Sequence, residues 1–208
     1  MKHAFLAAAA ATFLALPATA QSGPSFNCGG ALNPVEQAIC RDPDLAILDR
    51  EIAALYQAAQ LGPDMDAGRQ SELTARQRGW IASRDGCTSA PELSACVTAV
   101  YGQRIYELKT YYAGATGDAG PVSFGPVPYT CDAPVHGLSA VFINGPVTRW
   151  AVVSWDDNAV TLVATTSDDG EAFAPSVFGD PFRFWISHDE ALFAIPGQPE
   201  VACVQPQG

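Results

Sequence analysis

Residues 138–170 read LSAVFINGPVTRWAVVSWDDNAVTLVATTSDDG, and this stretch decides the architecture. Segments 138–144, 147–155 and 159–165 are rich in β-branched and aromatic residues, which suit a pleated surface. Asn144-Gly145-Pro146, Asp156-Asp157-Asn158 and Asp168-Asp169-Gly170 punctuate them as turns. Working outward, segments 127–131, 182–187 and 191–195 continue the series, with Gly197-Gln198-Pro199 as a further turn. Short strands at that spacing predict a small all-β antiparallel barrel or sandwich over 127–208.

Upstream, residues 113–125 are rich in Gly, Ala, Thr and Asp without periodicity, which reads as a linker. Before it the period changes. Asn33-Pro34-Val35-Glu36 offers an N-cap, a proline in the first turn and a glutamate closing a capping box; Asp42-Pro43 repeats the start. Leu45, Leu48, Ile52, Leu55 and Ala59 then line one face of a helix that Leu61-Gly62-Pro63 ends. A third helix is expected over 66–85, with Leu73, Gln77, Trp80 and Arg84 on one side. A fourth begins at Pro91, with Leu93, Val97, Val100, Arg104, Leu108 and Tyr111 at helical spacing. Short helices with short connections predict a small all-α bundle over 26–112, giving two domains in series.

The chain opens with Lys2-His3, an apolar run over 4–16 and Pro17-Ala18-Thr19-Ala20, an A-x-A cleavage pattern. That order predicts an export signal removed near Ala20, in a run too short to span a bilayer. No cysteine follows the cleavage site and no apolar segment after Gln21 approaches membrane length, so neither a lipid anchor nor a membrane span is expected, and the chain is expected to be periplasmic or secreted. Its six cysteines, Cys28, Cys40, Cys87, Cys96, Cys131 and Cys203, then read as three disulfides. Nearness in sequence favours Cys28 with Cys40 and Cys87 with Cys96, with the crossed pairings open; a Cys131–Cys203 bridge would tie the ends of the β half together.

Charge divides unevenly. Residues 28–112 hold eight Lys/Arg against eleven Asp/Glu, whereas residues 113–208 hold only Arg149 and Arg183 against eleven acids. Nucleic acid and anionic membranes are therefore poor partners, because both reward clustered cations, and a basic protein is favoured. No close Cys or His pairs suggest a metal site, and His136 and His188 stand apart, so no metal or cofactor is expected. Ser187-His188-Asp189-Glu190 has the residue types of a catalytic triad, but neighbours on a strand point to opposite faces. No phosphate cradle or nucleophile elbow occurs. Nothing in the pattern favours an enzyme.

Two resemblances follow from particular residues. Phe26-Asn27-Cys28, the run from Pro34 to Cys40, Leu45 to Ile52, Tyr56, Gln77-Arg78-Gly79-Trp80-Ile81, Arg84-Asp85, Cys87, Cys96 and Arg104-Ile105 resemble the LprI-type domain, a family associated with lysozyme inhibition. In it, Asp49 and Arg84 are candidates for an inter-helix ion pair and Trp80 for the core. Tyr129-Thr130-Cys131-Asp132, Leu138 to Phe142, Phe184-Trp185, Glu190-Ala191 and Cys203 resemble the MliC-type inhibitors of C-type lysozymes. That resemblance implies an eight-stranded barrel, a Cys131–Cys203 bridge and a loop that enters the lysozyme cleft. The family signature is a serine-glycine turn followed by a tyrosine, with a lysine-glycine after the Phe-Trp pair. Here Ser167-Asp168-Asp169-Gly170-Glu171-Ala172-Phe173 places Asp169 at the key serine, while Ser187 and His188 replace the lysine and glycine. An aspartate facing catalytic carboxylates meets like charge, so the family's contact scheme does not transfer. The expected function is binding and blocking a basic C-type lysozyme through Asp169, Gly170, Phe173, Trp185 and Ser187. The other reading is an envelope interaction module that keeps the folds without inhibiting.

Overall fold

The computed structural model describes residues 23–117, 119–174 and 182–206; the expected export segment lies outside them. Four helices open the described chain: α1 (Pro34–Arg41), α2 (Pro43–Gln60), α3 (Ala67–Gly86) and α4 (Leu93–Tyr111). The capping box at α1 is complete. The Asn33 side chain accepts from the Glu36 N–H at 2.9 Å, and the Glu36 carboxylate accepts from the Asn33 N–H at 3.0 Å. Asp42 caps α2 and Asp66 caps α3 through their side-chain oxygens alone, without a reciprocal bond. Leu45, Leu48, Ile52, Leu55 and Ala59 are all buried, as their spacing predicts.

Eight strands follow: β1 (Ser123–Cys131), β2 (Gly137–Asn144), β3 (Arg149–Trp155), β4 (Asn158–Thr165), β5 (Glu171–Ala174), β6 (Arg183–Ser187), β7 (Glu190–Ala194) and β8 (Val201–Val204). They close in sequence order as an antiparallel barrel, β8 pairing back onto β1 through Thr130–Val204 and Cys131–Cys203. A helical region followed by an all-β half is the order expected from the change of period, and the β half is a closed barrel rather than a sandwich. Cys28–Cys40, Cys87–Cys96 and Cys131–Cys203 are bridged.

Closing the barrel puts alternate side chains inside. Tyr129, Phe142, Val153, Leu162, Phe173, Phe184 and Phe193 fill that interior. A second core combines the helices with the outer face of the barrel: Val141, Ile143, Trp150 and Val152 pack with Tyr101, Ile105 and Leu108. Both faces of β2 and β3 are therefore covered, which explains why Ala140-Val141-Phe142-Ile143 and Trp150-Ala151-Val152-Val153 run apolar without alternation. Helix α4 lies close against the sheet at Gly102. A Cβ there would stand 2.5 Å from Thr161 Oγ1 and 3.0 Å from a Val152 methyl, so only glycine fits without displacement. The Tyr106 hydroxyl also meets Ser139 Oγ at 2.5 Å.

Polar groups bind the two halves together as well. Glu51 on α2 accepts from the Val122 N–H at 3.1 Å, the Ser123 N–H at 3.2 Å and the Ser123 hydroxyl. Lys109 on α4 donates to the carbonyls of Gly117 at 2.6 Å and Ser123 at 3.3 Å. These bonds draw part of the 113–125 stretch into the fold: residues 113–115 form a 3-10 turn, and β1 starts at Ser123 rather than at 127. Similarly, β3 starts at Arg149 rather than at 147. The N–H groups of Val147 and Thr148 donate instead to Asp44 on α2, at 3.0 and 3.3 Å.

Asp49 and Arg84 are not a direct ion pair. Asp49 accepts from the Tyr101 hydroxyl at 2.8 Å and from Ser25, while Arg84 pairs with Asp85 at 2.8 Å and Glu36 at 3.7 Å. Tyr101 interacts with both and joins them. Trp80 is half-buried, crosses the Tyr101 ring edge-on at 5.2 Å and carries the Arg84 guanidinium over its face.

Candidate partner-binding surface

In an antiparallel barrel, alternate turns share an end. The β2–β3, β4–β5 and β6–β7 turns therefore lie at one end of the barrel, the β2–β3 turn against the N-terminus of α2. The β4–β5 turn carries Ser167-Asp168-Asp169-Gly170, all exposed, and the β6–β7 turn carries His188-Asp189, also exposed. Pairing between β5 and β6 sets Glu171 against Ile186, Ala172 against Trp185 and Phe173 against Phe184. This register brings Asp169, Gly170, Trp185 and Ser187 into one cluster, although sixteen or more residues separate the two turns.

Each position has a local cause. The Trp185 indole N–H donates to the Asp169 carbonyl at 2.5 Å, fixing the turn from the neighbouring strand. Gly170 takes a φ of 99°, a conformation that favours glycine, and a Cβ there would meet the Ile186 carbonyl and Ser187. A side chain there would collide with the β6 backbone, so the turn depends on this glycine. Ser187 Oγ lies 3.2 Å from His188 Nδ1. Phe173 is placed differently. At 2% exposure its ring belongs to the barrel interior beside Phe142 and Phe184, so it supports the turn from beneath and offers no surface contact. The carboxylates of Asp168, Asp169 and Glu190 face solvent here, while Arg149 is paired with Glu171.

The helical half holds a separate groove of about 320 Å³, lined among others by Phe26, Glu36, Asp49, Tyr56, Trp80 and Arg84. The segment leading to Cys28 borders it: Ser25 donates to Asp49 through both its N–H, at 2.7 Å, and its hydroxyl, at 2.5 Å. Burial and the neighbouring Asp49 carboxylate push the Tyr101 hydroxyl well above the usual phenol range, so it remains a hydrogen-bond donor. The groove is thus a neutral-donor and carboxylate arrangement braced by Arg84, suited to holding structure or contacting a partner. Among the described residues, no group of three or more His, Cys, Asp or Glu is placed to hold a metal ion, and no helix is long and apolar enough to cross a membrane.

The polar groups between the halves, Asp44, Glu51 and Lys109, were not legible as a set from the sequence. The unbroken apolar runs in β2 and β3 were the available signal, because a strand apolar on both faces needs a second covering layer.

Comparison with known proteins covers both halves unequally. Residues 28–108 match the family model described as lysozyme inhibitor LprI. The proteins named lipoprotein LprI of Mycobacterium bovis and of Mycobacterium tuberculosis are 27% identical over 168 residues, covering 81% of this chain and 80% of each relative. An alignment of that length runs past the helical half into the barrel. No solved structure matches the chain. The helices α1 to α4, with their two disulfides, are thus similar in sequence to the lysozyme inhibitor LprI family.

Proposed function

We propose that the protein is an exported, lysozyme-inhibitor-like protein that binds and blocks a basic lysozyme in the periplasm or outside the cell. The match of residues 28–108 to a lysozyme inhibitor family carries this reading. Three disulfides fit an oxidising compartment, which is where lysozymes act on cell walls. The closed barrel of eight strands with its Cys131–Cys203 bridge supports an MliC-type reading of the second half.

The contact surface in this reading is Asp169, Gly170, Trp185 and Ser187, with Phe173 beneath it. Asp169 pairs with an arginine or lysine on the rim of the cleft rather than with the catalytic carboxylates, since an acid repels an acid. The excess of acids in the barrel half speeds encounter with a basic enzyme and leaves the association rate sensitive to salt. Titrating the mature chain into a lysozyme turbidity assay tests the reading. Slowed lysis at micromolar protein supports it; unchanged lysis at that concentration favours an envelope interaction module without inhibition.

A further inference from the structure

The turn between β2 and β3 is built by the helical half, and its construction has an outward product. Asp44 Oδ1 accepts from two successive N–H groups, those of Val147 and Thr148. Below it the Gly145 N–H donates to the Thr148 carbonyl at 2.9 Å and closes the turn. A Cβ on Gly145 would stand 2.6 Å from the Trp150 ring and 2.8 Å from Asp44 Oδ1, so the turn is packed tightly onto the carboxylate. Thus pinned, it turns Val147 outward, 79% exposed, at the edge of a notch of about 540 Å³ formed with Ala38, Arg41, Asp42, Pro43 and Ser94. Arg149, two residues on, reaches across β4 to Glu171 beside the Asp169 turn.

We propose that Val147 is a further contact residue for the basic protein partner and that Asp44 is its positioning residue, so that the helical half shapes the surface the barrel presents. The inference rests on the function proposed above and extends its surface from the β4–β5 and β6–β7 turns to the β2–β3 turn. The occupant is that same basic enzyme. The exposed acids of the adjoining turns set its charge, and an apolar side chain held at the rim supplies contact area where charges alone give little net affinity. Exposed valines are common singly. This one differs because a buried carboxylate from another element fixes the backbone that displays it.

Binding of the mature chain to a basic C-type lysozyme by titration calorimetry, with thermal melts alongside, separates the roles. Val147→Ser is expected to weaken binding about fivefold to tenfold while leaving the melt unchanged, because the side chain is already in water. Asp44→Ala is expected to weaken binding by a similar factor. Asp44→Asn is expected to restore it, since one amide oxygen can accept both N–H groups. Unchanged affinity in Val147→Ser overturns the contact, and equal losses in Asp44→Ala and Asp44→Asn overturn positioning in favour of charge. If the parent chain itself does not bind, the proposed function fails, and this inference fails with it.

Discussion

Replacing Glu51 with alanine should destabilise both halves at once. Glu51 is fully buried on α2 and satisfies three donors at the start of β1: the N–H groups of Val122 and Ser123 and the Ser123 hydroxyl. It also faces the charge of Lys109, itself fully buried. Truncation strands two backbone N–H groups at about 1 kcal/mol each, taking the low end because water can enter the vacated space. Removing a buried carboxylate from beside a buried ammonium adds about 3 kcal/mol. A total of about 5 kcal/mol at roughly 2–4 °C per kcal/mol lowers the melting temperature by about 10–20 °C in a domain of this size. Melts of the mature chain, followed by helical circular dichroism and by tryptophan fluorescence, give the test. The shared core makes the two signals move together in parent and variant alike. A variant melting within about 2 °C of the parent, or a helical signal that stays put while fluorescence shifts, would refute the claim that this carboxylate locks the halves.

The same residue gives a pH signature. Burial raises the Glu51 carboxyl above its ordinary value, against the opposing pull of Ser123, Val122 and Lys109. Its contribution is therefore largest below the usual glutamate range, about pH 4.3, and falls as pH rises through the raised value. The melting temperature of the parent relative to Glu51→Gln should drop over that window and then level off; a relative rise would mean the carboxyl is depressed instead. Removing the Cys131–Cys203 bridge, which spans 72 residues, with paired alanines should cost about 4 kcal/mol in a denaturant titration. A loss under about 1 kcal/mol would show the barrel closing without it. Tyr101→Phe leaves the Asp49 carboxylate short of one buried donor and should cost about 1–2 kcal/mol by the same measurement. Asp169→Lys should slow association with a basic lysozyme in stopped flow, most strongly at low salt; an unchanged rate would move the contact away from this turn.

The helices were legible because their signals are local. The Asn33–Glu36 box, Asp42-Pro43 and the spacing from Leu45 to Ala59 each act within a turn or two of chain. Five strands, β2, β3, β4, β6 and β7, were legible from composition within a residue or two, but β5 and β8 were not. Glu171–Ala174 and Val201–Val204 are each four residues long, too short for periodicity to register, and they exist because neighbours offer them an edge. In the candidate surface, Asp169, Gly170, Trp185 and Ser187 lie close together because β5 pairs with β6. Phe173, expected in the contact surface, lies in the interior instead, because strand alternation from Gly170 turns it inward. The contacts between halves could not be read, since Asp44 to Val147 and Glu51 to Ser123 join residues about 100 and 70 positions apart. Only closure of the barrel against α2 and α4 brings them within reach.

Inhibition is measured by lysis of a cell-wall suspension by a basic C-type lysozyme in the presence of the purified mature chain. Lysis should slow in proportion to added protein, and raising the salt concentration should weaken the effect. Lysis at an unchanged rate, with micromolar protein shown to be folded and disulfide-bonded, would contradict it.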